Sequence, residues 1–247
     1  ASITAVEAMK RSWIIKILEK LELFLYHQAD LIISVTHSFK QDLQNRSVSD
    51  EKIKVVLNGV DLSKYKPLND KDRKLSEKYG LQGKFVAGYI GTHGLAHTLD
   101  IFIEAAEFLK REDDIRIVFV GGGADRERLE NLVENRGLEN VVMMPMQPKK
   151  NMREVWSLCD ISLVSLKDTP LFSRVIPSKI FESMAMSLPI IISVPEGEST
   201  DLIRTQKAGL VIPPKNSNRL YKEILKIKND KNLYRELAEN SRLAARK

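Results

Sequence analysis

The chain has 247 residues, 43% of them hydrophobic and 29% charged, with one cysteine and a formal net charge of +6. A single Cys159 and four histidines without metal-ligand spacing exclude a disulfide scaffold and a zinc module, and no uncharged apolar run approaches the ~20 residues of a membrane span. The basic balance favours an anionic ligand, but Lys and Arg scattered along helix faces without interleaved aromatics are not the footprint of a nucleic-acid binder, and a start without signal-peptide order points to the cytoplasm.

Residues 11–27 carry Ile14, Ile17, Leu18, Leu21 and Leu25 at helical spacing, a stripe widened by Trp13, Ile15, Leu23 and Phe24. Such a helix calls for cover on more than one side. Packing inside a domain is the simpler reading; contact with the inner face of an anionic membrane through Lys10, Arg11, Lys16 and Lys20 is the sharper one. Short β-branched runs then alternate with helical patterns. They predict strands at 31–35, 53–57, 85–90, 115–120, 141–144, 161–165, 189–193 and 210–212, and helices at 99–110, 125–136, 178–186, 220–228 and from 231 onward. The alternation predicts an α/β fold, a Rossmann-like doubly wound parallel sheet with helices on both faces. The hydrophilic stretch 68–78 parts the first two strands from the other six. Residues 1–67 hold too little for a core of their own and read as the tail of a domain whose beginning is absent, while 68–247 suffice for a whole domain.

Three stretches carry chemistry. Gly91-Thr92-His93-Gly94 joins a strand to a helix, where glycines let backbone N–H groups approach a phosphate; on spacing alone a plain turn is as good a reading, and a P-loop is excluded because no Lys-Ser/Thr pair follows. Gly121-Gly122-Gly123 follows the next strand, but Arg126 stands where a dinucleotide fingerprint needs its third glycine. Two such loops still describe a crevice at the carboxyl edge of the sheet. Finally, Pro177 and a capping Ser178 begin a helix on which Lys179 and Glu182 share a face three residues apart. A cation there can neutralise a diphosphate, and a carboxylate one turn on can accept hydrogen bonds from the vicinal hydroxyls of a ribose; a surface ion pair is the plainer alternative.

In order, Asn58-Gly59-Val60-Asp61, the Gly91 loop, the triple glycine, Trp156 to Asp160, Pro177 to Pro189 and Ala208 to Pro214 resemble glycosyltransferase family 4 over nearly the whole chain. The resemblance implies half of a GT-B fold: the nucleotide-sugar-binding C-terminal domain, preceded by the last part of the acceptor-side domain. It implies a retaining, metal-independent transferase of surface-polysaccharide or lipid-linked glycan synthesis that uses a UDP-sugar as donor substrate and no cofactor. The Gly91 loop (Gly91, Thr92, His93, Gly94), Gly122, Gly123, Pro177 and Ser178 would line the diphosphate site, Glu182 would bind ribose, and Met146 and Gln147 would face the base. Where the family has the first of its paired glutamates, eight residues before the second, this chain has Arg174. The Arg and Lys that usually follow the first glycine loop are missing too, and Lys179 takes over as the catalytic cation; its Pro-Ser-Lys setting is similar to that of transferases using N-acetylated amino-sugar donors.

The acceptor, a glycan or lipid-linked glycan, would bind through the absent domain, so this chain by itself is expected to transfer nothing. The rival readings are a nucleotide-sugar 2-epimerase of the same architecture and a non-catalytic nucleotide-sugar-binding subunit that docks a partner through helix 11–27. Asp70-Lys71-Asp72 reads as solvated charge and Cys159 as a small buried residue; His93 and His97 have no third ligand for a metal, and His93 is free to donate to a phosphate oxygen.

Overall fold

The computed structural model describes residues 13–247, so Lys10 and Arg11 of the membrane reading lie outside the described residues. Helix α1 (Trp13–Gln28) buries only Ile15 and leaves Ile14, Ile17, Leu18, Leu21 and Leu25, the whole predicted stripe, exposed. The packing expected of it is therefore not found among the described residues. Strand β1 (Ile32–Ser34), helix α2 (His37–Asn45) and strand β2 (Ile53–Val55) follow, the two strands pairing in parallel over three residues each. Thr36 starts α2 by accepting a hydrogen bond from the Phe39 N–H at 3.1 Å, and Ile32, Leu43, Val48 and Ile53 form a small core beneath it.

The connector to the second sheet is not the solvated charge run that its composition suggests. Lys71 Nζ lies 2.5 Å from Asp160 Oδ2 and 2.8 Å from the Lys84 carbonyl, and Asp72 caps helix α3 (Arg73–Lys78) through the Leu75 N–H at 2.8 Å; of Asp70, Lys71 and Asp72 only Asp70 is exposed. Six parallel strands follow: β3 (Phe85–Ile90), β4 (Ile115–Val120), β5 (Val141–Met144), β6 (Ile161–Ser165), β7 (Ile190–Ser193) and β8 (Gly209–Ile212), in the order β5-β4-β3-β6-β7-β8. Their crossovers are α4 (Asp100–Phe108), α5 (Arg126–Asn135), α6 (Met152–Ser157), α7 (Lys179–Ala185) and α8 (Glu198–Gln206), with α9 (Ser217–Asn229) and α10 (Lys231–Ala244) closing the chain.

The β-branched runs are buried on both faces, as a covered parallel sheet demands. Ala87, Tyr89, Ile117 and Phe119 face one way, onto Phe102 of α4 and Leu220 and Ile224 of α9. Val86, Ile90, Val118 and Val120 face the other, onto Val155 and Trp156 of α6. On the far wing, Val164, Ile190 and Ile192 pack on Ile180 and Met184 of α7 and Ile203 of α8. The chain lays down β3, β4 and β5 in one direction and then returns to place β6 on the free side of β3. Loops leaving β3 and β6 therefore diverge, and a crevice opens between them. Side chains from the sheet domain reach α2: Glu198 accepts from the backbone N–H groups of His37, at 3.1 Å, and Ser38, and Arg174 pairs with Asp42 at 2.5 Å.

Candidate functional site

The Gly91 loop leaves β3 in a conformation only glycine takes easily, with φ at +146°. It is anchored on the neighbouring loop by Gly91 N–H to the Val120 carbonyl (2.9 Å), His93 N–H to the Gly122 carbonyl (2.8 Å) and Asp125 N–H to the His93 carbonyl (2.9 Å). The triple glycine is the seat for this anchoring. A Cβ on Gly121 would fall 2.0 Å from the Gly91 carbonyl oxygen, and one on Gly123 would fall 2.4 Å from that of His93. Two of the N–H groups expected to meet an anion are thus already bonded to backbone.

A cavity of about 1050 Å³ lies at the crevice between β3 and β6 and is lined by Gly91, Thr92, His97, Pro177, Ser178, Lys179 and Glu182 among others. A smaller one of about 190 Å³ shares Gly91 and Thr92 with it and adds Gly122, Met146 and Gln147. The outer rim of the large cavity carries Lys64, Lys149, Lys150 and Arg153 against Asp61 and Glu154.

Lys179 and Glu182 are not a surface pair. Lys179 is 8% exposed, and its ammonium has no hydrogen-bond partner among the described residues. It rests instead over the face of Tyr89, 3.7 Å from the ring centroid. Burial pulls its pKa down to about 7, with Glu182 opposing. Burial raises the Glu182 carboxyl above its usual range, opposed by hydrogen bonds from Trp156 Nε1 (3.3 Å) and the Tyr65 hydroxyl, and by Lys179. The carboxylate is so held from α6 and from the connector, at the end of the first turn of α7, which lines the cavity. Ser178 occupies the N-cap position of α7, but its side chain makes no capping bond, contrary to expectation.

The structure thus gathers Gly91, Thr92, Pro177, Ser178, Lys179 and Glu182 around one cavity and Gly122, Met146 and Gln147 around its extension. Four expected site residues stand elsewhere. Gly94 lines neither cavity, and Gly123 is packed on the backbone of His93. His93 is fully buried beneath the loop, between Tyr89 and Phe119, so it does not reach a phosphate in the cleft. Arg174 points to Asp42 of α2, across the junction with the first module. Cys159 is buried, as expected, and its thiol is pushed up to about 12 by burial; a Cβ on Gly88 would fall 2.2 Å from its sulfur. Sequence reasoning missed Tyr89 and Tyr65. Each sits in a run that reads as ordinary core or connector, and only the placement of Lys179 and Glu182 gives them a role. Among the described residues no group of three or more His, Cys, Asp or Glu side chains is arranged to hold a metal, and no helix is long and apolar enough to cross a membrane.

The family model for group 1 glycosyl transferases matches residues 71–244, and that for glycosyltransferase family 4 matches residues 5–64. Among curated proteins, the alpha-D-kanosaminyltransferase of Streptomyces kanamyceticus is 28% identical over 169 residues, 68% of this chain and 42% of its own length. The putative colanic acid biosynthesis glycosyltransferase WcaL of Escherichia coli K12 is 25% identical over 209 residues, 79% of this chain and 47% of its own. This chain therefore spans less than half the length of either relative. Among solved structures, Anabaena HepE in complex with UDP and glucose superposes with a TM-score of 0.78 at 20% identity, over 92% of this chain and 61% of that one. The last of these establishes the GT-B architecture expected from the motifs.

Proposed function

The chain belongs to the group 1 glycosyl transferases, and from that premise we propose that residues 68–247 form the donor-binding half of a retaining glycosyltransferase of polysaccharide or lipid-linked glycan synthesis. The donor is a UDP-sugar, and an N-acetylated amino sugar is the choice that the Pro-Ser-Lys setting of Lys179 favours. Residues 1–67 are the end of the acceptor-side domain and the linker. The observation that carries the reading is the buried ammonium of Lys179, without a hydrogen-bond partner among the described residues, at the switch point of the sheet and one helical turn from Glu182.

An isolated cation in a low-dielectric pocket is costly unless an anion meets it. A diphosphate in the cavity that Gly91 and Lys179 both line would satisfy it, with the ribose hydroxyls on Glu182 and the base toward Met146 and Gln147. When the bond from the anomeric carbon to the diphosphate oxygen breaks, positive charge develops on the sugar and negative charge on the departing UDP. A fixed ammonium at that oxygen stabilises the transition state more than the ground state, which is the condition for rate acceleration. Lys179 bears this role more heavily than the glycine loop, because Gly91 and His93 have their N–H groups committed to Val120 and Gly122. No divalent ion is needed to neutralise the diphosphate in this scheme. The HepE complex with UDP and glucose supports the nucleotide choice, and the colanic acid relative supports the pathway class.

The test is calorimetric titration of the chain with UDP, GDP, ADP and NAD in EDTA, beside Glu182→Ala. UDP should bind selectively, and about 10- to 100-fold more weakly in the variant, the range expected for losing hydrogen bonds to a charged acceptor. Binding of no nucleotide, or a preference for NAD, would sink the reading. Without the acceptor-side domain the chain should transfer no sugar; turnover by the purified chain would overturn that part.

A further inference from the structure

Lys179 needs something to hold it before the donor arrives. Its ammonium is buried, makes no hydrogen bond among the described residues, and lies close enough to Gly91 that a Cβ there would sit 3.0 Å from Nζ. What it does touch is the ring of Tyr89, 3.7 Å from Nζ to centroid. Tyr89 is itself fully buried on β3 and braced by Phe102 at 5.6 Å and Phe119 at 6.2 Å between ring centroids, so its ring cannot swing away. Its hydroxyl donates to the Thr92 carbonyl at 2.7 Å. One side chain therefore touches both halves of the cleft, the cation from α7 and the loop from β3.

We propose that Tyr89 is a positioning residue of the donor site: its ring face holds the Lys179 ammonium where the diphosphate will lie, and its hydroxyl fixes the loop opposite. This rests on the donor-site reading above. An aromatic face attracts a cation through its quadrupole, and the attraction is strongest where water is excluded. It favours the charged form of Lys179 without using up any of the three N–H donors of the ammonium.

The consequence is a specific pH signature. Burial holds Lys179 near 7, so above neutrality the empty site is largely uncharged and nucleotide binding must take up a proton. The histidines and the phenol that face the ammonium titrate outside that range. His93 and His97 are each pulled down to about 4 by burial, and Lys179 adds to the effect; the Tyr89 phenol is pushed above its ordinary value by burial. Burial raises the Glu182 carboxyl as well, and its titration is common to the unaltered chain and the Tyr89 variants, so the ratios cancel it. Removing the ring makes the ammonium less favourable, moving its midpoint to lower pH. A shift of one unit, about the worth of a desolvated cation–π contact, weakens UDP about tenfold at pH 8 and hardly at all at pH 5.5.

UDP affinity would be measured from pH 5.5 to 8.5 for the chain, Tyr89→Leu and Tyr89→Phe, and for Tyr89→Phe carrying progressively fluorinated rings, which drain the ring face without changing its packing. Taking ratios to the unaltered chain cancels the titration of UDP itself. Tyr89→Phe should lose a few-fold at every pH, from the lost bond to Thr92. Each added fluorine should then weaken binding at pH 8 and leave pH 5.5 unchanged. A ratio flat with pH along the fluorine series, or in a folded Tyr89→Leu, would overturn the proposal. The Lys179 Nζ resonance, followed by NMR without nucleotide, separates the two readings. A midpoint that falls in Tyr89→Leu, with no UDP bound by the unaltered chain, would overturn the donor reading and leave the hold standing. An unmoved midpoint with UDP binding intact would overturn the hold alone.

Discussion

The cleft at the switch point of the sheet and helix α1 each leave something unsatisfied, and in opposite ways. In the cleft a polar group has been buried without a hydrogen-bond partner among the described residues: Lys179 sits 8% exposed over an aromatic ring. On α1 apolar groups stand in water without apolar cover, Trp13 at 71% and Phe24 at 56%. The difference lies in what supports them. The cleft is built on the centre of a six-stranded sheet with packed layers on both faces, and such a frame can hold a strained loop and an unpaired cation in place. The first module has two strands of three residues and a four-residue core, which can hold little against its own preference. The cleft thus keeps a buried cation in a rigid frame, whereas α1 presents its apolar side chains on a small one.

Substituting Lys179 should break the cleft's side of this contrast most strongly. Lys179→Glu is expected to lower UDP affinity more than about 100-fold, since one charge-assisted contact is lost and a repulsive one gained. Lys179→Met should lose most of the binding too, yet raise stability at pH 7 by about 1–3 kcal/mol. The sign follows from the folded pKa near 7, below the ordinary lysine value. Between those two values the unfolded chain binds more protons, so the lysine costs stability there, and the cost is fully present below pH 7. The gain from Met should therefore disappear as pH approaches the unfolded lysine value. A destabilised Lys179→Met in denaturant titrations at pH 7 would mean that the ammonium is well paired after all.

A milder acid effect sharpens the same contrast. His93 and His97, both pulled to about 4 chiefly by burial, stay neutral in the folded chain while the unfolded chain protonates them from about 6.5 downward. Stability should fall from pH 6.5 to 4, by on the order of 2 kcal/mol for His93. His93→Leu should flatten that fall, as read from urea midpoints. An equal fall in the variant would place the acid sensitivity elsewhere.

How far the sequence shows all this depends on the range of each interaction. Buried strands such as Phe85–Ile90 and Ile115–Val120 are legible to the residue, because β-branched runs between polar breaks report a sheet covered on both sides. The glycine loops were also legible as loops, but the role of Gly121 and Gly123 was not, since it depends on carbonyls some thirty residues away in the chain and adjacent only in the fold. Lys179 was found by its spacing to Glu182, yet that spacing suits a solvated pair equally well. Only Tyr89, an unremarkable core residue in sequence, shows which of the two it is. Arg174 was misplaced for the same reason: its partner Asp42 lies 132 residues away.

The smallest effects are expected where the two regions meet. The Arg174–Asp42 pair has side chains 41% and 34% exposed, so water and salt screen it, and Arg174→Ala should cost less than about 1 kcal/mol. If the cleft is preorganised by its sheet alone, the same change should leave UDP affinity within about twofold, since Arg174 does not line the cavity. Phe24→Glu on α1 should be equally silent in UDP binding and change stability by no more than about 0.5 kcal/mol, its ring being already in water. A tenfold loss of UDP binding in Arg174→Ala would join what has been treated as separate. The loop from β6 to α7, which carries both Arg174 and the cavity residues Phe172, Pro177 and Ser178, would then take its shape from the first module, and the position of α2 would set the affinity of the cleft.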